Sequence, residues 1–499
     1  METKQFIFSP LEAREREREW RIVRRSVDAR QRDIRVLLTV LTDDHGQPLD
    51  KDAPIPLYEP PMFQEVHNAA HSIPIIGAGP AGLFAALTLL EHGIKPIVYE
   101  RGKDVSARKR DIARLQRGEG LNQESNYCFG EGGAGTFSDG KLFSRSKKRG
   151  DMQRIMELFH YFGAPDTVLY ETHAHIGSDS LPAIVKAMRE CILSHGGEIH
   201  FDTYIDRWDN TTPTLLCIGH SAHDTYRILH KAGVAMEPKG CAMGVRVEHP
   251  QALINRLFYH LDRQPLKEQQ ALVNALGNAA YSLVTQVDGR GVYSFCMCPG
   301  GHIVPAPSSE RSTVVNGMST HSRSSAYANS GIVVEQHPTG SALQALEWQE
   351  RLETEAWLQA HPDGHNTLIA TAPAQRLKDF VEGKTSTDLP PCSYLPGIIP
   401  SRLDQWLPQE IGPYLRQGFI DFDKKHRGFL TNDAVIVGVE SRSSSPVRIV
   451  RDRVTMQSLT HPNLYPAGEG AGYAGGITSS ALDGRNAALQ ICSRVQHNS

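Results

Sequence analysis

The chain has 499 residues, of which 40% are hydrophobic and 22% charged. That is the composition of a globular protein and excludes a mainly disordered or fibrous one. Lys and Arg number 53 and Asp and Glu 56, a formal net charge of −3, so no global basic field marks nucleic acid as a partner. Eight scattered cysteines are too few for a disulfide scaffold in a chain this long and fit a reducing compartment. No apolar core follows a basic start, so no signal peptide is read and a cytoplasmic location is expected.

Residues 1–70 read as a small α+β module and linker. Ser9-Pro10-Leu11-Glu12 has the marks of a helix start: Ser as cap, Pro in the first turn, Glu placed to reach back. Glu12/Arg16 and Glu17/Arg21 are spaced for ion pairs on an exposed helix. Residues 33–42 are rich in β-branched side chains and end at Asp43-Asp44, as a strand would. The first 50 residues hold ten Lys/Arg and ten Asp/Glu, so the arginines read as a salt-bridged solvated face rather than an RNA or lipid patch. Pro54, Pro56, Pro60 and Pro61 mark the linker.

Residues 73–90 carry no charge over 18 positions, but Gly77, Pro80 and Gly82 would break a membrane span. A strand, a turn and a buried helix account for the run. Gly77-x-Gly79-x-x-Gly82 forms the turn. The first Gly permits the bend, the second admits a pyrophosphate, and the third lets the helix pack on the strand. Pro80 and Ala81 open the helix, whose N–H groups attract phosphate. Glu100, followed by Arg101, ends the next strand at the distance where an acid receives ribose hydroxyls, which argues against a 2′-phosphate. Gly130-x-Gly132-x-x-Gly135 and Gly470-x-Gly472-x-x-Gly475 also match the spacing but lack that context. Alone, the first motif accommodates NAD or FAD.

Residues 71–145 therefore read as the first segment of a nucleotide-binding domain. Residues 146–195 read as a helical insertion, 196–235 as a second segment, 236–425 as a mixed substrate domain, and 426–499 as a closing strand-turn-helix segment.

Several long blocks carry a resemblance. They are RSVDARQRDI from Arg25, FGEGGAGTFSDGKL from Phe129, GHSAHDT from Gly219, FCMCPGG from Phe295, GVESRSSSPVRI from Gly438 and GEGAGYAGGITSSALDG from Gly468. With them the chain resembles, nearly end to end, the bacterial FAD-dependent (NAD(FAD)-utilising) dehydrogenases of the FAD/NAD(P)-binding superfamily. The resemblance implies a glutathione-reductase-type FAD fold: an α/β, discontinuous Rossmann-like FAD-binding domain with an inserted α+β substrate domain. It also implies bound FAD, with Glu469, after Gly468, as ribityl ligand and Gly475, Gly476 and Ile477 at a helix start beside the cofactor. By the same analogy Gly133, Gly135, Thr136, Ser138 and Asp139 contact FAD, Arg110 reaches it from the preceding helix, and Gly219 allows close approach. After Asp206 only a short run precedes Thr214, where related folds place a three-stranded excursion.

Cys296-Met297-Cys298 invites a redox reading, but a bond across Cys-x-Cys is strained, and buried thiols near a substrate pocket are the plainer reading. Arg442 and Arg448 flank a serine-rich turn and, with His321, are expected to bind an anionic small-molecule substrate. No metal site is read. No catalytic acid or base stands out, His321 and Asp139 being candidates by polarity and position alone.

The expected function is an FAD-dependent oxidoreductase passing a hydride through flavin, with NAD(P)H as a transient donor or the substrate itself as reductant. The alternatives are an FAD-dependent tRNA-modifying enzyme and a flavoprotein whose FAD is structural or carries electrons. Neither membrane nor nucleic acid is an expected partner, and the sequence leaves the oligomeric state open.

Overall fold

The computed structural model describes residues 2–30, 33–143, 150–362 and 369–497. Three sheets organise it. The N-terminal module is an antiparallel sheet in which Arg35–Thr42 lies between Glu2–Phe8 and Ile22–Asp28. Alternate residues Val36, Leu38 and Val40 of the middle strand are fully buried against Ala13 of the helix Pro10–Arg16. That helix starts with the expected reciprocal cap between Ser9 and Glu12. The expected i,i+4 ion pairs do not form, because each charge finds another partner. Glu12 closes the cap, Arg16 pairs with Glu19, and Glu17 pairs with Arg25, which also reaches Glu171.

The second sheet has five parallel strands in the order Leu464–Pro466, Thr214–Leu216, Ser72–Ile76, Lys95–Tyr99, Glu198–His200. Three separated stretches of chain thus meet in one sheet. The uncharged run is a strand followed by the helix Pro80–Glu91, in which every residue from Ala81 to Leu90 is buried. A helix apolar all round has neighbours all round. Here they are the sheet, the helix Leu181–Ser194 and the C-terminal helix Ile477–His497. The helices between residues 152 and 194 therefore belong to the core of this domain rather than to an appendage. Among the described residues no strand lies between Glu198–His200 and Thr214–Leu216, so the three-stranded excursion has no counterpart.

The third sheet has seven strands in the order Val284–Val287, Arg290–Cys298, Tyr327–Gln336, Cys241–Pro250, Val435–Glu440, Ala372–Arg376, Ile398–Pro400, antiparallel except for the last pair. The boundary expected at residue 425 falls short of it. Val435–Glu440 sits in the middle of this sheet, because its six buried residues need cover on both faces. Among the described residues no helix is long and apolar enough to cross a membrane.

Candidate cofactor and active site

The turn after Ser72–Ile76 is built as its glycines require. Gly77 has φ +104°, and a Cβ there would lie 2.5 Å from the Cys217 carbonyl oxygen. A Cβ on Gly82 would lie 1.9 Å from the Gly77 oxygen, so the helix could not approach the strand. Gly79 is the N-cap, with no side chain closing the helix start. The first turn of Ile477–His497 opens on the same space, through Gly475, Gly476 and Ile477. Between the two helix starts lies a cleft of about 1370 Å³, open to solvent. Two partial positive charges thus converge on it.

The cleft fits an adenine-flavin dinucleotide by a steric criterion. Gly219 and Gly475 have ordinary backbone angles and would meet nothing within 4 Å if given a Cβ, and Gly79 would meet only the Gly133 Cα at 3.8 Å. Neither backbone strain nor internal packing demands glycine at these three lining positions. The space left open at them lets a ligand approach the backbone closely.

Glu100 is buried and lines the cleft. Its carboxylate accepts backbone N–H bonds from Ala78 (2.9 Å), Gly102 (3.0 Å) and Gly130 (3.0 Å), so it ties three loops together. Arg101 lies between the rings of Phe129 and Tyr204, 4.2 and 4.6 Å from their centroids, and is held by Glu124 and Asp224. Gly133, Gly135 and Ser138 line the cleft. Thr136, Asp139, Gly82 and Gly468 stand behind it. Thr136 donates to the Glu131 carbonyl, the Gly468 N–H donates to Asp483, and Asp139 pairs with Arg323, Lys141 and Ser319.

Arg110 does not reach the cleft, since it lies on the exposed face of Val105–Gln116. Arg108 takes the inward place. It is fully buried and donates to the carbonyls of Asn126, Tyr127, Gly130 and Glu131, which fixes the glycine-rich loop. Burial pushes its guanidinium down to about 10. The sequence carried this signal, because Arg108 shares a helical face with Val105, Ile112 and Leu115.

His321, Arg442 and Arg448 do not form one anion site. Arg442 lines the cleft, where it donates to Ser221 and Ser308 and is doubly bonded to buried Glu353. Its charge is matched and all five of its N–H groups have partners, Cys128 Sγ being the fifth, so it is a fixed part of the wall. Arg448 turns outward on Val447–Ile449 and pairs with Glu237 at 3.0 Å. Exposed His321 stacks on His175, with Nδ1 at 3.1 Å from the Ile176 oxygen. Alternation along a short strand and the intervening sheet separate the three.

The cleft is also lined by Cys296, which the sequence reading set near a substrate pocket, and by three residues that it missed: Phe295 and Asn316, and His220 after a strand of the parallel sheet. His220 Nδ1 lies 2.8 Å from Glu469 Oε1. A second, much smaller cavity adjoins the first and shares Ser138, His220, Asn316 and Arg442 with it. Tyr127, Phe137, Val304 and Val315 form its apolar wall.

This fold and cleft define a flavoprotein with a Rossmann-like FAD-binding domain. Residues 70–210 match the family described as FAD binding domain, and residues 240–443 match FAD-dependent protein, C-terminal domain-like. An uncharacterized protein of Clostridium beijerinckii is 40% identical over 505 residues, covering 94% of this chain and 91% of that one. The chain belongs to the family of that protein, the FAD-dependent proteins with this C-terminal domain, and its cofactor is FAD.

Among solved structures it is similar to CtdE in complex with FAD (11% identity, 85% of this chain and 84% of that one, TM-score 0.30). It is also similar to a flavoprotein/dehydrogenase from Cytophaga hutchinsonii (9% identity, 86% and 79%, TM-score 0.36). A third is the tetrameric form of 2-methyl-3-hydroxypyridine-5-carboxylic acid oxygenase (11% identity, 86% and 83%, TM-score 0.33).

Proposed function

We propose that the protein is an FAD-dependent oxidoreductase that passes a hydride between a small-molecule donor and acceptor. The observation that carries this reading is the convergence of two uncapped helix starts, from opposite ends of the chain, on one cleft that continues into an apolar side cavity. A bound flavin supplies two-electron chemistry, and the protein supplies orientation and electrostatics.

The roles of the chain follow from its geometry. The N–H groups after Gly79 hold the pyrophosphate, and Glu100 keeps acceptor capacity for the adenosine ribose beyond its three backbone bonds. Glu469, oriented by His220, receives the ribityl hydroxyls. The Gly475 N–H is taken by Ser479 Oγ at 3.2 Å, and the N–H groups of Gly476 and Ile477 favour negative charge where the flavin ring ends.

The side cavity takes the substrate. Tyr127, Phe137 and Val304 exclude water there, and Asn316 orients polar atoms. NADH or NADPH binds transiently as donor, or the substrate itself is the reductant.

Anaerobic titration of the purified yellow protein with NADH, NADPH and candidate substrates tests the reading. Bleaching of the flavin absorbance at a useful rate by one of them is the expected result. A flavin that dithionite reduces normally but no donor touches would overturn it.

A further inference from the structure

The strand Arg290–Cys298 loses register with Tyr327–Gln336 between Phe295 and Cys298. Cys296 sits in this irregularity with φ +45°, a conformation that costs a non-glycine residue energy and persists where the surroundings impose it. The result is two sulfurs 4.0 Å apart, Cys296 half-buried on the flavin cleft and Cys298 fully buried beneath it.

Cations surround the pair. Lys141 Nζ lies 3.8 Å from Cys296 Sγ and 3.5 Å from Cys298 Sγ. Fully buried Arg246 donates to the Cys296 carbonyl at 2.6 Å and lies 3.7 Å from Cys298 Sγ. Glu440 matches the charge of Arg246, and Asp139 is bonded by Arg323 at 2.8 Å and by Ser319. Lys141, 3.2 Å from Asp139, is therefore a cation that the carboxylate does not need for neutrality.

A hydrogen bond from the Cys298 thiol, together with the charges of Lys141 and Arg246, holds Cys296 well below the ordinary thiol range against the effect of burial. The half-buried thiols elsewhere are the opposite case. Burial pushes Cys191 up to about 11 and also raises Cys392.

We propose that Cys296 and Cys298 form a dithiol centre opening on the flavin cleft, with Cys296 the attacking thiolate and Cys298 the resolving thiol, for substrates of the disulfide class. The Cys296 thiolate attacks one sulfur of the substrate; a mixed disulfide forms and the first substrate thiolate leaves. Cys298 then loses its proton and attacks Cys296 Sγ, the mixed disulfide breaks, and the second substrate thiolate leaves. One disulfide is reduced to two thiols, and one Cys296–Cys298 bond is made. The sulfurs must close from 4.0 Å to about 2 Å; Cys298 is held by its pairing with Asn329, and Cys296, in the irregularity, has no ladder partner to lose as it moves. A strained bond of this kind is readily reduced, which suits a catalytic rather than a structural disulfide. Resetting it takes two electrons and two protons, the quantity a reduced flavin holds; only this last point rests on the proposed function.

The test is reaction of the anaerobic holoprotein, its thiols reduced and its flavin oxidised, with dithiobis(nitrobenzoate), an aromatic disulfide that releases a coloured thiolate. A fast release of two thiolates per chain is expected, with the peptide containing both cysteines recovered two hydrogens lighter. Cys298→Ser stops after one and keeps the mixed disulfide on Cys296. Cys296→Ser loses the fast phase, and Lys141→Met slows it about tenfold.

Iodoacetamide labelling of the wild-type protein needs no variant, and Cys296 should react well before Cys191. Equal rates at the two sites, or two thiolates still released quickly by Cys298→Ser, would overturn the proposal. Failure of every donor to reduce the flavin would leave these thiol results standing and bear on the oxidoreductase reading alone.

Discussion

Glycines in the same short turn answer to different demands. Gly82 is required by the protein itself, because a Cβ would sit 1.9 Å from the Gly77 oxygen. Gly79 is not required by the protein, and the space it leaves open lies on the cleft. The two substitutions should therefore separate. Gly82→Ala should destabilise the apoprotein by more than about 3 kcal/mol through overpacking. Gly79→Ser adds a favourable helix cap, so apoprotein stability should hold or rise slightly while FAD affinity falls at least about tenfold. Urea denaturation of the apoproteins and fluorescence titration with FAD check both. Glu100 and the glycines were legible because the motif is local. Arg108 was legible too, but only through helical phase; analogy with the resembling fold pointed to Arg110, which faces solvent.

At the scale of elements, the helix Val105–Gln116 is anchored by a buried carboxylate from the neighbouring loop. Glu131 accepts from the Val105 N–H at 2.7 Å and from Arg189 at 3.1 Å, while its Oε1 has no partner. Burial dominates and raises the carboxyl from 4.5 to about 7. The folded protein therefore binds this proton more tightly than the unfolded chain. The contribution is fully present below pH 4.5 and is lost as pH rises through about 7. Relative to Glu131→Gln, which cannot titrate, the wild-type protein should lose up to about 3 kcal/mol over that window. Urea midpoints of both proteins across the range measure it. A pH-independent difference would show that the group is already ionised when folded.

Across the whole molecule, the cleft is closed by parts that are distant in sequence. The parallel sheet supplies the two helix starts, and the antiparallel sheet supplies Phe295 and Cys296. A ligand touching both domains stabilises both by linkage. Adding FAD to the apoprotein should raise the thermal midpoint in one cooperative step, equivalent to about 2.7 kcal/mol at a free concentration one hundred times Kd. Calorimetry at several FAD concentrations checks this. Two separate transitions, of which only one moves, would show that the antiparallel sheet does not share the ligand.

Local patterns were enough to read the first βαβ unit, the capped N-terminal helix, the strand of residues 35–42 and the closing glycine turn. Each is decided by contacts within about 30 residues and by backbone angles that few residue types tolerate. What lies across the cleft was beyond that reach. Val435–Glu440 joins the antiparallel sheet, Arg442 is neutralised by Glu353, Arg448 is turned away, and Lys141 is set against Cys296 and Cys298. Each of these depends on pairing between residues far apart along the chain, where composition and periodicity carry no register. Only the packing of the two sheets brings those charges and sulfurs within reach of one another.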